Sequence, residues 1–451
     1  MKQKIKLGII LGVEFVAITV ILILIFFAGK KSYTVTFDVN GGTLISGDLV
    51  QTVPQGKNAT PPVVAKDGCY LHSWSGSYNR VTNDVHVTAV WEWNTSIGFD
   101  YSASDNSDYC IITGCFKDIV GDVYVGVFRE GKKVLGIESE VFRDHDGITY
   151  IHMLDGILSI GERAFADCDN LVDVELPGTL KKLGERAFEN CVSLERVTFP
   201  RELEVIPAGA FAGCTSLKEI VIPASVKTVS ADAFIGCTSL EKVTFETREI
   251  TEKDELTGSE SVTVDGIHLL EPGVFNGCEA LREVTLPETL LNISQGAFRD
   301  CTSLEKITIP ASVEGLGREA FAGCTSLNTV ILQTREVAVF DEATKEPVTD
   351  PDTGTIVTEL KGLVSIEGGV FTGCEKLFEI VLPATVKNIA EGAFDSTLLT
   401  VRLTIDETDK PEGFEDNWHG ASDVEWGYVP EPVPEEPAAE EEAEGKKGWL
   451  S

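Results

Sequence analysis

Acidic residues outnumber basic ones 72 to 37 over 451 residues, a net charge of -35. Such a chain repels nucleic acid and anionic membrane surfaces, which excludes a nucleic-acid partner. Eleven cysteines occur, but none forms a Cys-x-x-Cys pair and eight recur at one position of a repeated unit, so their spacing follows the repeat and not a metal site.

The N-terminus carries Lys2, Lys4 and Lys6, then an apolar run over residues 7–28 broken by Glu14 and Thr19, then Lys30 and Lys31. As a helix that run spans about 33 Å, enough for a hydrocarbon core of about 30 Å. Ala28, Gly29 and Lys30 form a poor exit for signal cleavage, so residues 1–31 read as an uncleaved single-pass transmembrane anchor in preference to a cleaved signal. The lysines place the short end in the cytoplasm and the bulk of the chain outside; a secreted form is the alternative.

Residues 32–94 alternate apolar and polar side chains. Tyr33, Val35 and Phe37 share one face, Asn40-Gly41-Gly42 supplies a turn, and Val85, Val87, Ala89 and Trp91 end the segment as a second strand. Val35-Thr36-Phe37 with Asn40-Gly41-Gly42, Pro61-Pro62, Gly68, Trp74 and Val87-Thr88-Ala89-Val90-Trp91 resembles the Listeria/Bacteroides repeat, also called the internalin B-repeat. That resemblance implies a small β-grasp-like domain serving as a spacer or interaction module of bacterial surface proteins. Residues 95–131 read as a linker, rich in Ser, Asn and Asp to residue 108, followed by two apolar strands that cap the array behind it. Within this cap Cys110 and Cys115 are the more plausible disulfide pair of the chain.

From residue 132 to 404 one unit repeats. Phe recurs at 165, 188, 211 and 234, at 275, 298 and 321, and at 371 and 394, with 23 residues between members of each run. Relative to every Phe but the last, Cys lies three on, Leu six on, Val or Ile nine on, an apolar residue eleven on and usually Pro twelve on. A period of this size marks a solenoid. Leu171-x-x-Val174-x-Leu176 points Val174 and Leu176 inward and Asp173 and Glu175 outward, as a strand requires, while Leu180 and Leu183 form a second inward edge after Pro177. The unit Ile-Gly-x-x-Ala-Phe-x-x-Cys-x-x-Leu is similar to that of the BspA-type leucine-rich-repeat family of bacterial and protist surface proteins. The fold class that follows is a leucine-rich-repeat solenoid, with a parallel β-strand and a short helix in each 23-residue turn. The row of eight Cys reads as free, buried thiols at a ladder position.

Two insertions, at about 246–266 and 333–362, both begin Thr-Arg-Glu and enter the repeat at the same place, and both read as hairpins. In the second, Asp350-Pro351-Asp352-Thr353-Gly354 lacks the bidentate Glu of a calcium loop and reads as a solvated turn. Residues 405–429, with Trp418 and Trp426, read as an aromatic C-terminal cap, and the acidic Pro/Glu tail 430–451 as disordered.

On the outward strand positions Glu195-Arg196, Lys218-Glu219, Glu241-Lys242, Arg282-Glu283 and Glu305-Lys306 alternate in sign along the stack, a self-neutralised face. The pattern breaks at Asn328-Thr329 and Phe378-Glu379, where Ile331 and Val381 bring apolar side chains outward. Together with Val339 and Phe340 of the second insertion, Ile331, Phe378 and Val381 are the expected partner-binding residues. The six His are scattered, with no His-Glu-x-x-His, Gly-x-Ser-x-Gly or phosphate-binding loop. The expectation is a non-catalytic surface protein, without cofactor or metal, that binds an extracellular protein or glycan in adhesion; an envelope scaffold or spacer is the alternative. The oligomeric state is left open.

Overall fold

The computed structural model describes residues 31–430 apart from 67–68, 94–98, 103–107, 117–118, 127, 130–131, 254–259, 342–346, 352 and 395–398. The apolar run 7–28 and the acidic tail from 431 onward lie outside the described residues. Among the described residues no helix is long and apolar enough to cross a membrane. The chain divides into two compact units, residues 1–226 and 227–451.

The first unit begins with a four-stranded sheet. Ser32–Asp38 is central, antiparallel to Val50–Pro54 on one side and parallel to Val85–Trp93 on the other, and Val85–Trp93 pairs in turn with Cys69–Ser75. The alternation read from Tyr33 to Phe37 places Val35, Phe37 and Val87 in a core with Val53, Ala59 and Val81, against which Trp74 and Tyr78 pack. Asn40 and Gly41 both adopt positive φ, as a tight turn demands. At Gly42 a Cβ would meet the Trp91 ring at 2.3 Å, so the indole, whose Nε1–H donates to the Val39 carbonyl at 2.9 Å, requires glycine there.

The stretch read as a linker contains a strand. Phe99–Ser102 pairs antiparallel with Tyr109–Cys115, because Phe99 and Tyr101 supply the alternation that the polar composition around them hides. The cap strands are themselves turns of the solenoid. Tyr109–Cys115, Lys132–Ile137, Ser159–Ile160 and Lys182–Leu183 form one parallel ladder. Gly121–Val125, Ile148–Met153, Asp173–Glu175 and Arg196–Thr198 form the other. The second unit has the same two edges. Thr228–Val229, Leu269–Leu270, Asn292–Ile293, Gly315–Leu316, Ser365–Ile366, Asn388–Ile389 and Gly413–Phe414 pair in parallel in that order. On the long-strand edge Lys242–Phe245 pairs with Glu283–Thr285, Lys306–Ile309 with Thr329–Leu332, and Glu379–Leu382 with Thr400–Leu403 and then Asp423–Glu425.

The short helix expected in each turn is absent. No α-helix occurs among the described residues, and the only helical element there is the 3-10 turn Glu407–Asp409. The cause is a pair of left-handed residues flanking each Phe: Arg163 and Asp167, Arg186 and Asn190, Asp232 and Gly236, Glu319 and Gly323. Left-handed backbone every fourth residue cannot continue a right-handed helix. The amides therefore bond to the next turn, as Phe142 N–H donates to the Ala164 carbonyl at 2.7 Å, Phe165 to Ala187 at 2.8 Å and Phe298 to Ala320 at 2.8 Å. This corner is a third inter-turn ladder.

It also explains the Phe row. In the first unit the rings of Phe142, Phe165, Phe188 and Phe211 stack at 4.9, 5.1 and 5.3 Å, and Phe99 closes the row edge-on against Phe142 at 5.5 Å. In the second, Phe234, Phe275, Phe298, Phe321, Phe371 and Phe394 stack at 5.4 to 5.8 Å, and Trp418 closes the end edge-on at 5.9 Å. Trp418 is buried, as its reading as cap core requires.

The cysteine row runs beside the rings. Each thiol is buried and outside any disulfide. Cys168 Sγ donates to the Phe142 carbonyl at 2.9 Å, Cys191 to Phe165 at 3.1 Å, Cys301 to Phe275 at 3.3 Å and Cys324 to Phe298 at 3.1 Å. In the last turn Ser422 Oγ takes the same part toward the Phe394 carbonyl. Burial pushes the Cys168 and Cys374 thiols up to about 12, and Cys191, Cys278, Cys301 and Cys324 well above the usual thiol value. The expected Cys110–Cys115 pair is not formed. Neither is in a disulfide; they lie five residues apart on one extended strand, and Cys115 Sγ instead donates to the Val141 carbonyl at 3.0 Å and faces His145 Nε2 at 3.1 Å.

Candidate functional site

The outward side chains of the long-strand edge form part of the charge ladder that their sequence implies. In the first unit Arg196 Nη2 bonds Asp173 at 2.9 Å and Lys218 Nζ lies 3.9 Å from Glu195. In the second, Lys242 pairs with Glu283 at 2.5 Å, and Arg402 bridges Glu379 at 2.6 Å and Glu425 at 2.7 Å. Each pair links neighbouring turns.

Within the second unit the ladder is interrupted where sequence places Ile331 and Val381. Ile331 lies on Thr329–Leu332 opposite Thr308 and is 38% exposed, because Val330 beside it takes the inward position. Val381, half-buried, occupies the equivalent place on Glu379–Leu382, opposite Arg402. Phe378, 58% exposed, stands just before that strand, and its carbonyl accepts the Thr400 amide.

The second insertion is a hairpin, Arg335–Ala338 against Thr358–Lys361. Val339 extends it through bonds to Val357 and Val348 and is half-buried; Phe340, bridged to Pro347, is 56% exposed. The turn at its tip closes on itself, with Asp350 Oδ1 accepting the Thr353 amide at 2.8 Å and Gly354 at positive φ. The first insertion is likewise a hairpin, Arg248–Lys253 against Glu260–Asp265, held at its base by ion pairs from Arg248 and Lys227 to Asp265.

The five expected residues therefore form two groups. Ile331 and Val381 share the strand face with Phe378 at its entry, whereas Val339 and Phe340 stand on a hairpin that leaves the chain after the strand's exit. Sequence reasoning missed what lies at that hairpin's foot: a groove of about 730 Å3 lined by Leu291, Glu314, Arg335, Leu360 and Lys387 among others. Arg335 reaches Glu288 across it at 3.7 Å. Leu291 and Leu360 are exposed, and the apolar side chain of Leu291, just after the inward Leu290, is the one signal in sequence that marked this wall.

Six copies of the BspA type Leucine rich repeat region match residues 136–256, 256–344 and 354–411, more than half of the chain. The chain belongs to the BspA-type leucine-rich-repeat family. No curated protein matches it. Among solved structures, the BspA-type array is similar to a T. pallidum leucine-rich-repeat protein at 26% identity, covering 51% of this chain and 87% of that one with a TM-score of 0.35. A leucine-rich cell surface protein of Faecalibacterium prausnitzii matches at 19% identity, covering 74% and 94% with a TM-score of 0.35. The pneumococcal vaccine antigen PcpA matches at 16% identity, covering 74% and 98% with a TM-score of 0.33.

Proposed function

We propose that this BspA-type chain is a non-catalytic cell-surface protein whose repeat array binds an extracellular protein or glycan in adhesion. Residues 7–28 anchor it as a single pass, and residues 32–94 are a Listeria/Bacteroides repeat-like spacer that holds the array away from the membrane. The reading is supported by the BspA-type family match. The observation that carries it is the exposure of Phe378, next to the Glu379–Arg402 ion pair, and of Ile331 on the neighbouring strand. Large apolar side chains left in water on an otherwise ion-paired face mark a contact surface.

The test is capture from extracellular-matrix and cell-surface extracts by the parent and by a Phe340→Asp, Phe378→Asp double variant of unchanged circular dichroism. A saturable component bound by the parent and lost in the variant supports the reading. Capture by neither leaves the array as an envelope scaffold or spacer, the role that paired charge ladders suit.

A further inference from the structure

The first unit carries an exposed strand-face cluster that the apolar reading does not use. Register places Tyr150 between Asp122 and Asp173, and His152 between Tyr124 and Glu175. The Tyr124 and His152 rings stack at 4.6 Å with planes 12° apart, and Tyr150 lies 6.5 Å from His152 at 15°. Beside them is a depression of about 360 Å3 lined by Tyr150, His152, Asp173, Glu175, Arg196 and Thr198. Arg196 is held by Asp173. Glu175 is exposed, with no cation in ion-pair contact among the described residues. Tyr150 is 37% exposed.

The last turns of the second unit show what such surroundings hold. There Arg402 lies over the Tyr428 ring at 4.7 Å while its guanidinium bonds Glu379 and Glu425, carboxylates on the strands to either side. Aromatic faces and flanking carboxylates attract a cation together, the ring through its quadrupole and the acids through charge. The Tyr150–His152 cluster repeats the rings and the acids, and among the described residues no arginine lies over the Tyr150 ring, on a chain whose net charge of -35 favours a basic partner. We infer that this depression is a binding site for an arginine side chain presented by a basic segment of a partner protein. The guanidinium stacks against Tyr150 and donates to Glu175. The site goes beyond the apolar patch of the second unit and stands if that patch binds nothing.

The test is saturation-transfer NMR on the full chain in detergent, with the capped tripeptide acetyl-Gly-Arg-Gly-amide as probe. The same peptide with citrulline keeps the shape and removes the charge. Transfer to the arginine methylenes is expected, falling about fivefold with citrulline and in Tyr150→Ala and Glu175→Gln, with Tyr150→Phe close to the parent. Glu249→Gln, on the first hairpin, and the Phe340→Asp, Phe378→Asp variant are expected to bind as the parent does. Circular dichroism confirms that each variant is folded. An equal fall in Glu249→Gln reduces the effect to the chain's overall field and overturns the assignment. Equal binding of citrulline overturns it too, as does transfer to maltotriose but not to arginine, which would make the cluster a saccharide site.

Discussion

Phe298 offers the sharpest test of what the ring row contributes. It is fully buried, with Phe275 and Phe321 each 5.4 Å away and planes inclined by 23° and 2°. Truncation to alanine removes the ring and leaves a cavity, a loss of about 3–5 kcal/mol. Leucine retains most of the buried area but forfeits two stacked pairs, each of about 0.5–1.5 kcal/mol beyond area, so Phe298→Leu should cost about 1–3 kcal/mol. The stacking share is isolated by two double-mutant cycles. Phe298→Leu with Phe321→Leu removes a shared pair and should couple by about 0.5–1.5 kcal/mol. Phe275→Leu with Phe321→Leu, whose rings are separated by Phe298, should add within about 0.5 kcal/mol. Urea unfolding followed by circular dichroism and by tryptophan fluorescence gives the values, compared only between variants that keep the parent slope, because repeat arrays need not unfold in one step. Additivity in the adjacent pair, or equal coupling in both, would refute a nearest-neighbour ring stack and leave the Phe row as buried area alone.

Gly184 sits where a Cβ would meet the backbone of Gly161 and Glu162 at 2.3 to 2.4 Å, so Gly184→Ala should destabilise by about 1–3 kcal/mol, whereas Gly126→Ala, which meets nothing within 4 Å, should be near neutral in the same melts. The thiol row should make stability fall in alkali. Burial holds the Cys168 and Cys374 thiols protonated, so their contribution is complete below the ordinary value of 9.0 and is lost as pH rises from there toward about 12. The urea midpoint should therefore drop steadily above pH 9, and less steeply in Cys374→Ser; a flat profile to pH 11 would contradict it.

Much of this architecture is legible in the chain because each repeat reports the same spacing many times. Phe165, Cys168, Leu171, Val174 and Leu176 are all inward, as their intervals imply, and Leu180 and Leu183 define the second edge. The misread corner shows where periodicity stops informing. Ala164, Phe165 and Ala166 look helical by composition, but the decision belongs to Arg163 and Asp167, whose left-handed backbone is imposed by hydrogen bonds from the next turn. Arginine carries no left-handed signature, so the clue had to come from the Gly209 and Gly213 that replace this pair in a later repeat. The exposed residues Ile331, Phe340 and Phe378 were legible because outward strand positions can be counted. The groove at the hairpin foot was not, since Leu291, Arg335, Leu360 and Lys387 come from turns far apart in sequence.

The hydrogen bonds also explain why both insertions leave the array where they do. After each long strand the usual Pro opens a local turn, in which Leu180 bonds back to Pro177, Leu290 to Pro287 and Val313 to Pro310. Those bonds stay within one turn, so nothing between neighbours is lost when the chain departs there. At the Phe corner, by contrast, alternate amides bind the following turn, and an insertion would break two or three inter-turn bonds along with the ring contact. Glu246 and Gln333 stand where Pro would be in the two interrupted turns. Unlike proline, Gln333 has an N–H, which donates to the Ile309 carbonyl at 2.9 Å and carries the strand ladder one residue further before the hairpin begins. The closure entropy of a longer excursion grows only slowly with its length. The Pro turn is thus the place in the repeat where added chain disturbs neighbours least, and it is where this protein has built both of its projecting hairpins.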